Sequence, residues 1–318
     1  MTYSMDFARA YGTPAVAGIL RGQPQDFYVR ERLGFEPAGA GEHLYLYVRK
    51  TGANTEWAAN RIAHLAGIRA LRVGYAGRKD RNAVTEQWFS CQLPGQLPPD
   101  WRPLQRDGIE VLCARRHPRK LRPGMHAANR FRIRVRALEG GSAAMEDLGR
   151  RVEALGRAGF PNYFGEQRFG REGANLLHAN ELMRGIEKHR RDRGMYISAA
   201  RSYLFNRHLS GCVESGTWHM PAAFGWLPGI SRTGADIPRD DAFYDWYEGL
   251  ERLGVRAMRR TLCVVPDNLE SSIEGQQLEL SFDLPVGSYA TSLLRELVDY
   301  RETGSDDAGT GGHFGQIA

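Results

Sequence analysis

The chain has 318 residues, 42% of them hydrophobic, and this length allows one large domain or two of ordinary size with packed cores. Its net charge of +6 at pH 7 favours an anionic partner. The four cysteines are far apart without zinc-like spacing, no apolar run reaches about 18 residues, and the N-terminus lacks a signal-peptide pattern. We therefore expect a cytoplasmic protein with reduced thiols, no bound metal and no membrane contact.

Strands and one helix are predicted in the first hundred residues. Segment 19–33 is strand-like, and 43–52 alternates apolar and polar residues as strands do. Segment 71–77 is predicted as a short strand and 84–93 as another strand. Segment 54–68 is typical of a capped helix, with Trp57, Ile62 and Leu65 on its inner side. Residues 78–81 therefore lie on a loop between two strands, a common place for catalytic groups.

That loop holds one carboxylate, Asp80, among the cations of Arg78, Lys79 and Arg81. One explanation is a solvated charge run that neutralises itself. The other is a carboxylate that its neighbours keep ionised, ready to act on a negatively charged substrate. The loop alone does not decide between the two.

The segment 129–136 is the clearest strand, because arginines at every second position alternate with apolar residues. Nine Lys or Arg residues and no Asp or Glu fall between 115 and 136. An exposed sheet face with solvated arginines is one interpretation. The absence of acids in this segment favours a face that meets an anionic polymer.

The second half of the chain changes character. A helix is predicted from Ser142 to about Gly159, and the segment 160–173 then mixes aromatic residues, glycines and arginines. Such a segment suits either stacking against bases or a buried corner filled by rings, and the sequence favours neither. The chain is largely helical to about residue 260, and 263–298 returns to strands before a short final helix.

Several site classes lack support in the sequence. There is no phosphate-binding glycine loop, no histidine pair at metal-ligand spacing and no serine or cysteine nucleophile motif. We therefore expect no metal and no nucleotide cofactor. Asp80 remains the candidate nucleophile or base.

The chain resembles the TruD family of tRNA pseudouridine synthases. Five motifs in the family's order carry the resemblance: QDFYVRE at 25–31, GYAGRKDRNAVTEQWFS at 74–90, NRFRIRVR at 129–136, GFPNYFGEQRFG at 159–170 and LPVGSYATSLLREL at 284–297. The resemblance implies an α+β fold. A pseudouridine-synthase catalytic domain, with a mixed or antiparallel sheet and helices, is interrupted by a largely helical α/β insertion domain specific to the family.

The resemblance also implies domain bounds and a reaction. The catalytic domain comprises 1–157 and a returning part, 263–300. The insertion domain comprises 158–262, and 301–318 form a flexible tail. The family isomerises uridine 13 of tRNA to pseudouridine without a cofactor, and Asp80 occupies the position of the catalytic carboxylate. Whether that carboxylate acts as nucleophile or base stays open, as does the oligomeric state.

Further roles follow from positions in the matching motifs. Phe27, Asn129 and Tyr289 are expected to contact the target nucleotide, although Tyr289 stands where the family has Phe. The supporting candidates are Arg21, Lys79, Gln87, Phe131 and Arg295. Arg21 replaces an expected Lys, and Arg295 either pairs with Asp80 or is an exposed cation late in a helix. Arg130, Arg132 and Arg134 are expected to contact the RNA backbone.

A rival interpretation makes the chain a non-catalytic RNA-binding protein or RNA chaperone. It would use the arginine-faced strand and keep the same fold. Only the intact Asp80 loop and the pocket residues favour the enzyme over this alternative.

Overall fold

A computed structural model describes residues 3–186, 192–230 and 240–303 of the chain. Chain contacts group into two compact units. Unit 1 comprises 1–14, 148–265 and 288–297, and unit 2 comprises 15–147, 266–287 and 298–318. The chain therefore passes between the units five times. The domain bounds at 157 and 262 that the resemblance implies stay a prediction.

Fourteen strands and six α-helices are found in the described ranges. The strands are β1 (Ala17–Leu20), β2 (Phe27–Arg32), β3 (His43–Thr51), β4 (Val73–Tyr75), β5 (Val84–Gln92), β6 (Ile109–His117), β7 (Ala128–Glu139), β8 (Phe160–Pro161), β9 (Phe224–Leu227), β10 (Met258–Thr261), β11 (Cys263–Val264), β12 (Asp267–Glu274), β13 (Gln277–Pro285) and β14 (Asp299–Glu302). The helices are α1 (Thr55–Leu65), α2 (Ser142–Ala158), α3 (Ala174–Met183), α4 (Arg193–Glu214), α5 (Tyr244–Arg252) and α6 (Ala290–Leu294).

Unit 2 is built on one mixed sheet with the strand order β12-β13-β7-β2-β5-β3-β6. β4 pairs with β5, and β1 lies between β7 and β14. The pairs β1–β14 and β2–β5 are parallel, and the other pairs are antiparallel. The expected α+β class with a mixed sheet is confirmed.

Helix α1 covers one end of this sheet. Asn54 caps it by accepting a hydrogen bond of 2.8 Å from the backbone N–H of Trp57. Ile62 is fully buried against the face that carries Leu46 and Phe89. The prediction that Trp57 lies on the inner side is wrong, since 40% of Trp57 is exposed and small alanines occupy the inner face instead.

Strands β7 and β13 carry the most regular pairing in the sheet. Phe131 lies opposite Phe282, and Ile133 lies opposite Leu280. Because side chains alternate, these apolar residues share one face, and the Phe131 and Phe282 rings stack with centroids 5.4 Å apart. Leu278, Leu280 and Phe282 are fully buried, as the alternation in the sequence predicts.

Unit 1 is largely helical. Its core joins rings from α4 and α5, such as Tyr203 and Trp246, with Phe7 of the N-terminal segment. The glycine- and aromatic-rich motif also contributes rings to this core, since Tyr163 and Phe169 are at most 2% exposed. The structure therefore favours the buried corner over the stacking surface for this motif.

The extent of some elements differs from what the sequence predicts. The sequence did not predict β6, and α4 begins at Arg193, within the part of the chain predicted to be largely helical. Of the predicted tail, 301–302 belong to β14, and 304–318 lie outside the described residues. In the described part of the chain, no helix is both long and apolar enough to cross a membrane.

We expect Phe282→Ala to destabilise unit 2 by about 3–5 kcal/mol, because it removes a fully buried ring that stacks on Phe131. Urea unfolding followed by fluorescence measures the effect. Ile273→Ala on the neighbouring β12, where the side chain is 40% exposed, serves as the control and should change the midpoint little. Equal midpoints for the two variants would contradict the placement of Phe282 in the core.

Candidate active site

Asp80 lies in unit 2 on the loop that joins β4 to β5, as the sequence predicts. Its carboxylate forms an ion pair with the Arg21 guanidinium, with 2.5 Å between Oδ2 and a terminal nitrogen. The Asp80 side chain is 34% exposed, whereas that of Arg21 is 13% exposed. The carboxylate is thus fixed in direction and still accessible from solvent.

Arg21 follows directly after β1 and has a positive φ of 58°, a conformation that costs energy for a residue with a side chain. Its guanidinium bonds both Asp80 and Glu302 of β14 and lies 4.3 Å from the centre of the Phe27 ring. A planar guanidinium with five donors can bond two carboxylates and stack on a ring at the same time. Arg21 therefore links the Asp80 loop to β14 and to Phe27.

The backbone of the loop before Asp80 is held by side chains of neighbouring elements. The Gln87 amide donates to the carbonyl of Gly77 at 3.1 Å. The Lys79 N–H donates to the Thr55 hydroxyl at 2.8 Å, and that hydroxyl donates to Gln87 Oε1. Gln87 and Thr55 are at most 1% exposed, so both act as internal supports of the loop.

The Lys79 side chain turns into the protein. Its ammonium lies 2.8 Å from the Glu31 carboxylate, and the two side chains are 6% and 0% exposed. Glu31 also accepts the backbone N–H of Trp88. Lys79 therefore anchors the loop, whereas of its neighbours Arg78 pairs with Glu56 and Arg81 lies exposed beside Gly52.

A second lysine, Lys50 of β3, lies fully buried beneath the same loop. Its Nζ donates to the carbonyls of Ala53, Lys79 and Asp80 at 2.7, 3.4 and 3.2 Å. Burial lowers the pKa of Lys50 to about 7, while the charge of Asp80 acts in the opposite direction. Two contacts thus hold the loop: Arg21 pairs with the Asp80 carboxylate, and the buried Lys50 amine bonds the loop backbone.

The structure places Phe27, Phe131 and Asn129 on the adjacent strands β2 and β7. The Phe27 ring is 3% exposed, with Arg21 over its face and the edge of Phe131 at 6.2 Å. Asn129 lies opposite Glu31 in the register, and its amide nitrogen is 3.4 Å from His126. Within the described residues, Asn129 Oδ1 is buried without a hydrogen-bond partner.

Tyr289 and Arg295 lie in unit 1. The Tyr289 hydroxyl accepts a 2.7 Å hydrogen bond from Arg168, and its ring lies 5.9 Å from that of Phe164. Arg295 donates to the carbonyls of Phe7 and Ala8. Pairing of Arg295 with Asp80 and a pocket that includes Tyr289 both stay predictions.

Arg130, Arg132 and Arg134 form the arginine row of β7. Acidic residues are absent from segment 115–136, but β13 places two of them opposite this row. In the register, Arg130, Arg132 and Arg134 lie opposite Asp283, Ser281 and Glu279 of β13. Arg134 is 2.8 Å from Glu279, and Arg130 is 3.4 Å from Asp283. Because side chains alternate along β7, this row lies on the opposite face of the sheet from Asn129 and Phe131.

Arg132 differs from the other arginines of the row. It stacks over the Tyr28 ring at 5.2 Å, and no acidic side chain in the described ranges pairs with it. With Tyr28, Tyr47, Trp88 and Arg30 it borders a cavity of about 1000 Å³. Around Arg132, therefore, cationic and aromatic side chains of the arginine row and its neighbours line the same cavity.

Sequence reasoning missed Lys50, Thr55 and Glu31. One signal was present for Lys50, because in β3 it shares a face with Leu44, Leu46 and Val48, and a charged residue on an apolar face indicates a buried charge. Thr55 and Glu31 carried no such signal, since their roles depend on where the loop packs.

The arrangement can place one partly exposed carboxylate against a substrate, with a guanidinium beside it. In the described part of the chain, no group of three His, Cys, Asp or Glu side chains is placed to hold a metal ion. A partly exposed carboxylate such as that of Asp80 can act as a nucleophile or take up a proton.

Comparisons with known proteins agree on one family. The family model described as tRNA pseudouridine synthase D (TruD) matches residues 7–185 and 239–297. The tRNA pseudouridine synthase D of Methylococcus capsulatus is 43% identical, over 95% of this chain and 97% of that protein. The protein of the same name from Cellvibrio japonicus is also 43% identical, over 93% of this chain and 94% of its own length.

A solved structure shares the fold. The crystal structure of a Methanosarcina mazei protein assigned as tRNA pseudouridine synthase D (TruD) superposes with a TM-score of 0.64, and the alignment covers 92% of this chain and 95% of that one. Its sequence is 19% identical, so this likeness concerns the fold alone. From the family model and the two relatives we conclude that the chain belongs to the tRNA pseudouridine synthase D (TruD) family.

Proposed function

We propose that this protein isomerises a uridine of tRNA, uridine 13, to pseudouridine with Asp80 as its catalytic carboxylate. The observation that carries the proposal is the Asp80 loop itself. A 34% exposed carboxylate is paired with Arg21 on a loop whose backbone is held by buried side chains. Membership of the family supplies the reaction and the substrate class.

The proposed reaction needs one activated carboxylate and no redox chemistry. The bond between ribose C1′ and uracil N1 breaks, the base turns, and C1′ joins C5. C5 then loses its proton and N1 gains one, so substrate and product have the same composition. Asp80 acts as a nucleophile at C1′ or as a base that removes a ribose proton. Both routes require the carboxylate to be held towards the sugar, which the Arg21 contact supports.

The target nucleotide must leave its stack to reach a carboxylate on a loop. We assign Phe27, Asn129 and Tyr289 to its reception. Asn129 has a buried Oδ1 without a partner in the described residues, and such an oxygen gains most from an incoming donor. Phe27 is covered by Arg21, so a base can reach this ring only after the guanidinium moves.

The rival function, an RNA-binding protein without catalysis, depended on a row of unpaired arginines. Arg130, Arg134 and Arg136 are instead ion-paired with Asp283, Glu279 and Asp26. We retain Arg130, Arg132 and Arg134 as proposed contacts to the RNA backbone, with Arg132 as the strongest of the three. The row on its own no longer favours the rival function.

Asp80→Asn should abolish pseudouridine formation, because the amide has the same shape but is neither nucleophile nor base. We expect a loss of at least ~10²-fold in single-turnover rate with tRNA affinity nearly unchanged. Pseudouridine mapping of unmodified tRNA measures the rate. The control is Asp107→Asn, which weakens the ion pair of Asp107 with Arg61 of α1 and should react normally. A rate above about a hundredth of wild type for Asp80→Asn would exclude Asp80 as the catalytic group.

Tyr289→Ala should slow the reaction on folded tRNA, because stacking on a flipped base is worth roughly 1–3 kcal/mol. Tyr289→Phe keeps the ring and should keep the rate, although it removes the acceptor of the Arg168 hydrogen bond and lowers stability by about 1 kcal/mol. Single-turnover kinetics and thermal melts separate the two effects. A normal rate for Tyr289→Ala would remove Tyr289 from the pocket.

Arg132→Ala should weaken binding to any tRNA and reduce the salt dependence of binding by about one phosphate contact. Arg134→Ala should have a smaller effect, because Arg134 already pairs with Glu279. Filter binding over a series of salt concentrations gives both slopes. If neither slope changes, the arginine row contacts water and not RNA.

A further inference from the structure

Lys50 has an unusual environment for a lysine. Its side chain is fully buried, and the three hydrogen-bond partners of its Nζ are the carbonyls of Ala53, Lys79 and Asp80. Ala53 lies just before α1, and the other two residues lie on the loop that carries the proposed catalytic carboxylate. One buried side chain thus joins the start of a helix to that loop.

All three partners of the Lys50 Nζ are hydrogen-bond acceptors, and this number indicates which protonation state of Lys50 fits the site. An ammonium has three N–H donors and matches three carbonyl oxygens, whereas a neutral amine has two donors and would direct its lone pair at an oxygen. The neighbouring charges act in opposite directions, since Asp80 raises the pKa of Lys50 and Lys79 lowers it. Lys79 is itself neutralised by Glu31, and Asp80 by Arg21.

A buried cation is costly, and an apolar residue of similar volume is often tolerated as well or better. Core packing alone therefore does not explain a lysine among Leu44, Leu46 and Val48 on the same face of β3. The position of its ammonium does offer an explanation, because two of the three acceptors belong to the residues whose backbone sets the direction of the Asp80 side chain.

We propose that Lys50 is a positioning residue for pseudouridine formation, whose buried ammonium holds the backbone of Lys79 and Asp80 and thereby directs the Asp80 carboxylate at the substrate. The proposal rests on the proposed function of Asp80 and adds a group that does not touch the substrate. Misplacement of a reacting group by about 1 Å can cost up to about 10²-fold in rate, so loss of this support should be visible in the chemical step.

The proposal has a consequence for pH. Burial lowers the pKa of Lys50 to about 7, below its ordinary value, so the folded protein releases this proton at lower pH than the unfolded chain. The charged lysine therefore costs stability below about pH 7, and that cost disappears as the pH rises. The rate should change in the opposite direction, because the neutral amine no longer satisfies all three carbonyls.

The test compares Lys50→Met with wild type in single-turnover reactions at saturating unmodified tRNA. We expect the rate to fall by about 10–100-fold while the Kd for tRNA stays within about twofold. The matched control is Arg201→Met in unit 1, which removes another cation that donates to three carbonyls, those of Leu227, Pro228 and Arg256. It should lower the melting temperature and leave the rate unchanged.

A pH series on wild type supplies the readout that a merely structural role would not change. Between about pH 6 and 9 the single-turnover rate of wild type should fall, while its melting temperature rises as Lys50 loses its charge. The residual rate of Lys50→Met should lack this alkaline fall. The wild-type half of this measurement stands even if Lys50→Met folds poorly.

Three outcomes would overturn the role of Lys50: a Lys50→Met rate within twofold of wild type, a loss that lies in tRNA affinity alone, or a wild-type rate without an alkaline fall. Failure of the proposed function is a different result, since wild type itself would then form no pseudouridine. The two proposals can therefore be tested in one set of assays.

Discussion

The ion pair between Asp80 and Arg21 connects the proposed catalytic carboxylate with three strands of the unit 2 sheet. Arg21 follows β1, covers Phe27 at the start of β2 and also bonds Glu302 of β14. A loop carboxylate in water would sample many directions, and ordering it costs conformational entropy. Here that cost is offset by a contact on the carboxylate and by further contacts on the loop backbone, so the group is oriented before a substrate arrives.

The fold could be predicted from the sequence where local pattern and burial coincide. The alternation around Ile133 and Phe282 gave both the strands and their buried faces, and the capped-helix pattern of 54–68 gave the start of α1. The prediction for Trp57 was wrong because periodicity alone does not show whether the large ring or the small alanines of the helix pack on the sheet. β6 was missed because its two arginines, Arg115 and Arg116, were interpreted as part of a charge cluster and not as part of a strand.

The site was predictable to a similar degree. Asp80 and its loop followed from the motif, but the partners of that loop are distant in sequence: Arg21 lies 59 residues away and Glu31 lies 48 residues from Lys79. The acids opposite the arginine row are about 150 residues away, on a strand that follows the passage of the chain through unit 1. A charge count within one segment cannot include groups that only pairing between strands brings close, and this explains why the row looked unpaired.

The place of Glu302 gives the Asp80 site a dependence on the order of synthesis. β14 is the last described strand, it pairs in parallel with β1, and its Glu302 is the second carboxylate held by Arg21. Chains emerge from the ribosome N-terminus first. The Asp80 loop and Arg21 are therefore made early, but their full set of contacts forms only after Glu302 has been released. A chain that stops before β14 can contain the entire Asp80 motif and still lack a completed site, which favours expression of chains that include β14.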